Sequence, residues 1–200
     1  MPKKNTQWVR REFLHNGFIA ALLLLAGPVA MLNKSSATAG PVGDARTTLS
    51  ALIEALRSTG NAACLAAADR LAAARAANAE YNLHLRNARL GPLDAEIIAG
   101  AMGEAHLNKG PALRSLSMSY NPGLTDSGVV ALARAFPPTL TELGFVACAL
   151  GDEGGEALLL WSKEAAELRM ICVEKNHFSA EMRRAFTALA QERAHLLVVV

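Results

Sequence analysis

One short pattern, written three times between Leu113 and Phe178, limits what this chain can fold into more than any other feature. It reads leucine, two residues, Leu or Ile, one residue, a large apolar residue, two residues, Asn or Cys, and then another apolar residue. Leu113, Leu116, Met118, Asn121 and Leu124 fill it first; Leu140, Leu143, Phe145, Cys148 and Leu150 second; Leu168, Ile171, Val173, Asn176 and Phe178 third. The leading leucines stand 27 and then 28 residues apart. A fixed period of this length marks one supersecondary unit that cannot bury its apolar face alone, so the units must stack on one another.

Each unit opens with period-two alternation. Leu116 and Met118, or Leu143 and Phe145, point one way from a short strand while Ser117 or Gly144 points the other. A turn and a helix follow. Thr125-Asp126-Ser127-Gly128 offers a capping side chain, and Val129, Leu132, Ala133 and Phe136 recur at helical spacing. Asp152 and Gly154 repeat that grammar ahead of Ala157, Leu158 and Trp161, and Ser179 caps a helix carrying Met182, Ala185, Phe186 and Leu189.

This leucine spacing resembles the leucine-rich repeat family. Units of 27 or 28 residues leave room for a full helix, and the turn position alternates as Asn121, Cys148, Asn176; both details are similar to the ribonuclease-inhibitor-like branch of that family. The resemblance implies an α/β fold: a short solenoid of about four strand-helix repeats with an N-terminal helical cap. It also implies a strand face that binds a protein or peptide. The three turn residues are expected to be structural, because an Asn amide both donates and accepts, while Cys is small and usually buried.

The ends of the pattern are weaker. Tyr81 to Gly110 reads as a degraded first repeat without its leading leucine, with Leu83, Leu85, Ala88 and Leu90 on the strand and turn. There Asp94 caps a helix that faces inward through Ile97, Ile98, Ala101 and Met102. Ahead of it, Gly40 to Gly43 reads as a linker. Leu49, Leu52, Ile53 and Leu56 form a stripe ending at Ser58-Thr59-Gly60, and an alanine-rich helix follows from Asn61. This pair is expected to cap the first repeat, since an open solenoid end exposes apolar edges; a helical arm for self-association is the alternative. His195 to Val200 reads as a last strand with a bare apolar edge, which implies pairing with a second copy, cover by a partner, or a truncated gene product.

Residues 1–39 have the composition of a targeting segment. Lys3, Lys4, Arg10 and Arg11 precede the uncharged apolar run Gly17 to Leu32, and small residues follow up to an Ala-x-Ala site ending at Ala39. Arg10-Arg11-Glu12-Phe13-Leu14 resembles the twin-arginine export signal, which implies a periplasmic or secreted protein; an uncleaved signal anchor through residues 17–32 is the alternative. Without these residues, the chain's net charge of +2 becomes about −2, so the basic balance comes from the signal. What remains has no basic stripe and no aromatic platform, which argues against nucleic acid. Cys148 is expected inside and Cys172 outside, so they should not bond, and the scattered histidines suggest neither a metal nor a cofactor.

Stacking the strands in register lines up the outward residues as columns. One holds Asn82, Ser115, Glu142 and Met170; the next His84, Ser117, Gly144 and Cys172; the third Arg86, Ser119, Val146 and Glu174, with Tyr120 beside them. These form the expected binding surface for another protein. A regulatory inhibitor or activator of another enzyme is a second reading. A hydrolase is a third, built on His84 and Ser117 as neighbouring base and nucleophile, although no acid is placed to orient His84 and an open trough offers no oxyanion hole.

Overall fold

The structure, a computed structural model, describes residues 45–74, 80–107 and 111–200. The chain divides between Ala39 and Gly40, and every described residue belongs to the unit Gly40–Val200. The export signal, the apolar run 17–32 and the linker 40–43 expected from sequence lie outside the described residues.

Two helices come first, α1 (Ala45–Ser58) and α2 (Ala62–Ala74); strand and helix then alternate as β1 (Glu80–His84), α3 (Pro92–Leu107), β2 (Ala112–Ser117), α4 (Thr125–Ala135), β3 (Glu142–Gly144), α5 (Asp152–Glu164), β4 (Met170–Cys172), α6 (Ala180–Glu192) and β5 (Leu197–Val199). The strands make one parallel sheet in chain order, β1-β2-β3-β4-β5. Parallel neighbours need a crossover, and one helix per unit supplies it. Each of α3 to α5 packs on the next helix, α6 packs on β5, α1 packs on α2 and α3, and α2 touches β1. The helical pair therefore covers the first repeat, as expected. Arg57 ends α1 against Asp69 of α2 at 3.1 Å, and Gly60 takes the left-handed turn between them at φ +66.

The leucines of the repeat are the core. Leu116, Leu140, Leu143, Leu168 and Ile171 are all at most 1% exposed, and each contributes roughly 1.5–3 kcal/mol by leaving water. The helix stripes face them, with one correction: Ile97 lies outward on α3 at 41% exposure, and Ala95 and Ala99 join Ile98 in the core instead.

A ladder of side chains holds the turns. The Asn121 amide accepts from the Ala88 and Leu90 N–H groups at 2.8 and 3.2 Å and donates to the Leu85 and Met118 carbonyls, both at 2.7 Å. Asn176 does the same two units on, accepting from Cys148 and Leu150 and donating to Phe145 and Val173. Cys148 replaces the amide by a thiol that reaches the Met118 and Val146 carbonyls at 3.3 and 3.5 Å. Asn61 starts the series by donating to the Ala88 carbonyl. The ladder fixes an unfavourable backbone: Asn87, Tyr120, Ala147 and Lys175, each just before the ladder position, all have positive φ, at a cost of about 1–2 kcal/mol each for a residue with a Cβ.

Two expectations are corrected by contacts between units. Asp126 does not cap its own helix, since α4 begins without a side-chain cap. Its carboxylate instead accepts from the Gly151 and Gly154 N–H groups of the following unit at 2.7 and 3.1 Å. Asp152 likewise accepts from the Ser179 N–H at 2.8 Å, which holds its carboxyl below the usual range. The missing leucine of the first repeat is Tyr81, which pairs with Leu113 across a register shift, because that unit is one residue shorter between its first two apolar positions. The final unit is shortened in the same way, with Leu196 and Val198 packed inward.

Candidate functional site: the open face of the sheet

The helices cover one face of the sheet and leave the other open. Its columns are fixed by the pairing of the strands. Asn82, Ser115, Glu142, Met170 and Leu197 make one, and His84, Ser117, Gly144, Cys172 and Val199 the next. Backbone bonds from Asn87 to Ser119, Tyr120 to Val146 and Ala147 to Glu174 carry the third column beyond the strand ends. Each of the first two columns is one strand longer than the sequence reading had it. Leu197 and Val199 were missed because the last strand lacks the leucine-helix grammar; its inward Leu196 and Val198 were the available signal.

The columns do not stand equally tall. Asn82, His84, Arg86, Tyr120 and Glu142 are exposed, and Ser117, Met170, Cys172 and Glu174 are half-buried. Ser115, Ser119 and Val146, expected to be contact residues, are buried at 8%, 2% and 8% exposure. Strands about 4.8 Å apart let taller neighbours overhang short side chains. The Ser119 hydroxyl is also occupied, accepting from the Val146 N–H at 3.1 Å and from the Ser117 hydroxyl at 3.3 Å. A Cβ on Gly144 would sit 3.1 Å from Ser117 Oγ, so the glycine keeps this floor low.

One chain of hydrogen bonds crosses three strands. His84 Nε2 lies 2.8 Å from Ser115 Oγ, and the Ser115 hydroxyl donates to Glu142 Oε2 at 2.9 Å. With the hydroxyl proton committed to the carboxylate, His84 is assigned as the donor to Ser115. The hydrolase reading needs the reverse: a His84 acceptor beside Ser117. The imidazole bonds Ser115 instead, because the residue diagonal to it lies within its reach, and Ser117 turns toward Ser119. Cys172 is no activated nucleophile either, since burial pushes its thiol up and Glu174 and Glu142 push it further. Cys64, Cys148 and Cys172 are all free thiols. Among the described residues, no three His, Cys, Asp or Glu side chains converge as metal ligands.

Charge is sorted along the face. On β1 and its turn stand His84 and Arg86, the latter 5.2 Å from the Tyr120 ring centroid in a cation–π contact. Glu80, the acid on this strand, is paired with Arg114 at 2.7 Å. Two strands on come Glu142 and then Glu174, with Lys175 at the turn position equivalent to Tyr120. The Arg169 guanidinium is spent on the carbonyls of Ala166 and Leu168 in its own loop. Beyond the acids the face turns apolar, with Met170 and Cys172 beside Val199 and Leu197, the last 58% exposed.

Among known protein families, the Leucine Rich repeat model matches residues 111–133 and 136–159, which span the second unit and run into the helix of the third. No curated protein matches the chain. With the stacked strands, the buried leucines and the turn ladder, this match identifies leucine-rich repeats within the chain, which folds as a short α/β solenoid of that kind.

Proposed function

We propose that this protein is a protein-binding module, that it uses the open face of its sheet, and that it works outside the cytoplasm. The observation that carries the reading is the contrast between the two faces: the helix side is closed by apolar packing, while His84, Arg86, Tyr120 and Glu142 stand exposed on strands whose register is fixed. Exposed aromatic and charged side chains on a rigid support are what a protein contact uses. Repeats of this family generally serve interaction rather than catalysis. The Asn121-Cys148-Asn176 alternation and helices of 11 and 13 residues after β2 and β3 support the ribonuclease-inhibitor-like subtype. Export rests on the tripartite pattern of residues 1–39 and its twin-arginine resemblance. Among the described residues no helix is long and apolar enough to cross a membrane.

The test is affinity capture from an envelope extract with the unaltered chain and with Ser117→Trp, read by mass spectrometry. Ser117 is half-buried at the centre of the face, so an indole there covers the floor while leaving the leucine core alone. A protein captured by the first and lost with the second is the expected result. Equal capture by both would refute the open-face assignment and point to the helical cap or to β5, where self-association is the competing use.

A further inference from the structure

Resting on the open-face reading, we propose that the occupant is a single extended segment of a partner protein lying across the strands, in which a basic residue stands between an acidic residue and an apolar one. The acidic residue sits over β1, the basic one over β3 and β4, and the apolar one over β5.

Area decides for a segment over a folded surface. Five strands about 4.8 Å apart span roughly 19 Å from β1 to β5, and three outward residues per strand cover about 13 Å along it. The product, about 250 Å² of projected area, stays well below the ~800 Å² of accessible surface per partner that a stable interface between folded proteins needs, even when doubled for side-chain relief. An extended chain at about 3.3 Å per residue crosses the same width with about six residues.

The order of side chains follows from complementarity. His84 and Arg86 face the segment from β1 with Glu80 already neutralised by Arg114, so an acidic side chain is favoured there. Glu142 and Glu174 face it from β3 and the turn after β4, with Lys175 beside Glu174 and the Arg169 guanidinium held on the Ala166 and Leu168 carbonyls of its own loop, so a basic side chain is favoured there. Two to three strand spacings separate these sites, about 10–14 Å, which is three or four residues of extended chain. One strand further, Leu197 and Val199 with Met170 and Cys172 offer an apolar contact one or two residues past the basic one. The low floor of Ser117 and Gly144 lets the segment's backbone pass between these raised ends. Opposed charges at the wrong ends would repel, so the order of the residues, more than their composition, sets specificity.

The test is selection from a phage-displayed random dodecapeptide library against the full chain, against Arg86→Glu/Glu174→Arg, and against Leu197→Lys. The first is expected to enrich peptides with an acidic and a basic residue three or four apart and an apolar residue beyond the basic one. The charge-exchanged variant should enrich the opposite charge order, and Leu197→Lys should lose the apolar preference while keeping the charges. Synthetic peptides of the two orders should differ at least tenfold in affinity for the unaltered chain at low salt, and less at high salt. No enrichment, an enriched motif without charge order, or the same motif from all three proteins would overturn the proposal. The open-face reading is judged separately by Ser117→Trp, which can abolish capture of a folded partner even where no dodecapeptide binds.

Discussion

Replacing Asn121 by Ala should do more damage than its single side chain suggests. The amide is wholly buried and makes four hydrogen bonds, all to backbone groups: two N–H groups of the preceding unit, the Leu85 carbonyl, and the Met118 carbonyl. A buried backbone group left without a partner costs about 1–3 kcal/mol, so the loss should reach at least ~4 kcal/mol, close to the whole stability of a marginal domain at ~5 kcal/mol. Asn121→Cys gives an internal calibration. At position 148 a single thiol proton is shared between the carbonyl of the preceding unit and that of Val146, two residues back, so Cys at 121 should keep the Leu85 carbonyl partnered and orphan the Met118 carbonyl and the two N–H groups, for about three quarters of the cost, ~3 kcal/mol. Urea unfolding followed by far-ultraviolet circular dichroism measures both, with an unchanged m-value showing that the same surface is exposed. The reasoning fails if Asn121→Ala costs less than ~2 kcal/mol, or if the Cys variant is no better than the Ala variant.

Two further outcomes test contacts between units. A methyl group on Gly154 would lie 2.6 Å from Asp126 Oδ1, so Gly154→Ala should displace that carboxylate and cost about 2–3 kcal/mol; in an Asp126→Ala background the added cost should fall below ~1 kcal/mol, and simple additivity in thermal unfolding would contradict this. Burial pushes the Tyr81 phenol from 10.0 up to about 12, so the unfolded chain loses that proton first. Stability should therefore be whole below pH 10.0 and fall as pH approaches about 12, by up to ~2.7 kcal/mol; urea midpoints for Tyr81→Phe should fall less steeply, and identical slopes would count against it.

The middle of the fold was legible because its signal is periodic. Leu113, Leu140 and Leu168 fixed the phase, and the phase fixed the outward residues of β2, β3 and β4. The first and last units were harder, because each omits one residue after Tyr81 or Leu196, which breaks the spacing while leaving the alternation intact. The segment 125–128 reads as capping its own helix for a physical reason: in a single helix a polar residue near the N-terminus reads as a cap, and only a stacked neighbour can offer Asp126 the Gly151 and Gly154 amides as better donors. The exposure of the face was equally invisible to alternation. Period two distinguishes Ser119 from Met118 by direction, but the height of the flanking side chains decides whether a serine meets solvent, and that depends on strands 27 residues away. His84 bonded Ser115 and not its paired Ser117 because an imidazole reaches diagonally, a choice that registry alone does not set.

The side chains that tie the units together point in opposite directions along the chain. Asn121 and Asn176 grip the unit before them, whereas Asp126 and Asp152 grip the unit after. The junction closed by Cys148 has the weaker turn and also has the Asp126 carboxylate on two glycine amides, so what the thiol gives up in the turn is offset at the helix starts. In a linear array, where each unit touches only its neighbours, cooperativity can break at its poorest joint. Matching a weak latch with a strong one keeps the joints near equal, so the stacked units behave as one folding unit and not as two halves that come apart at residue 148.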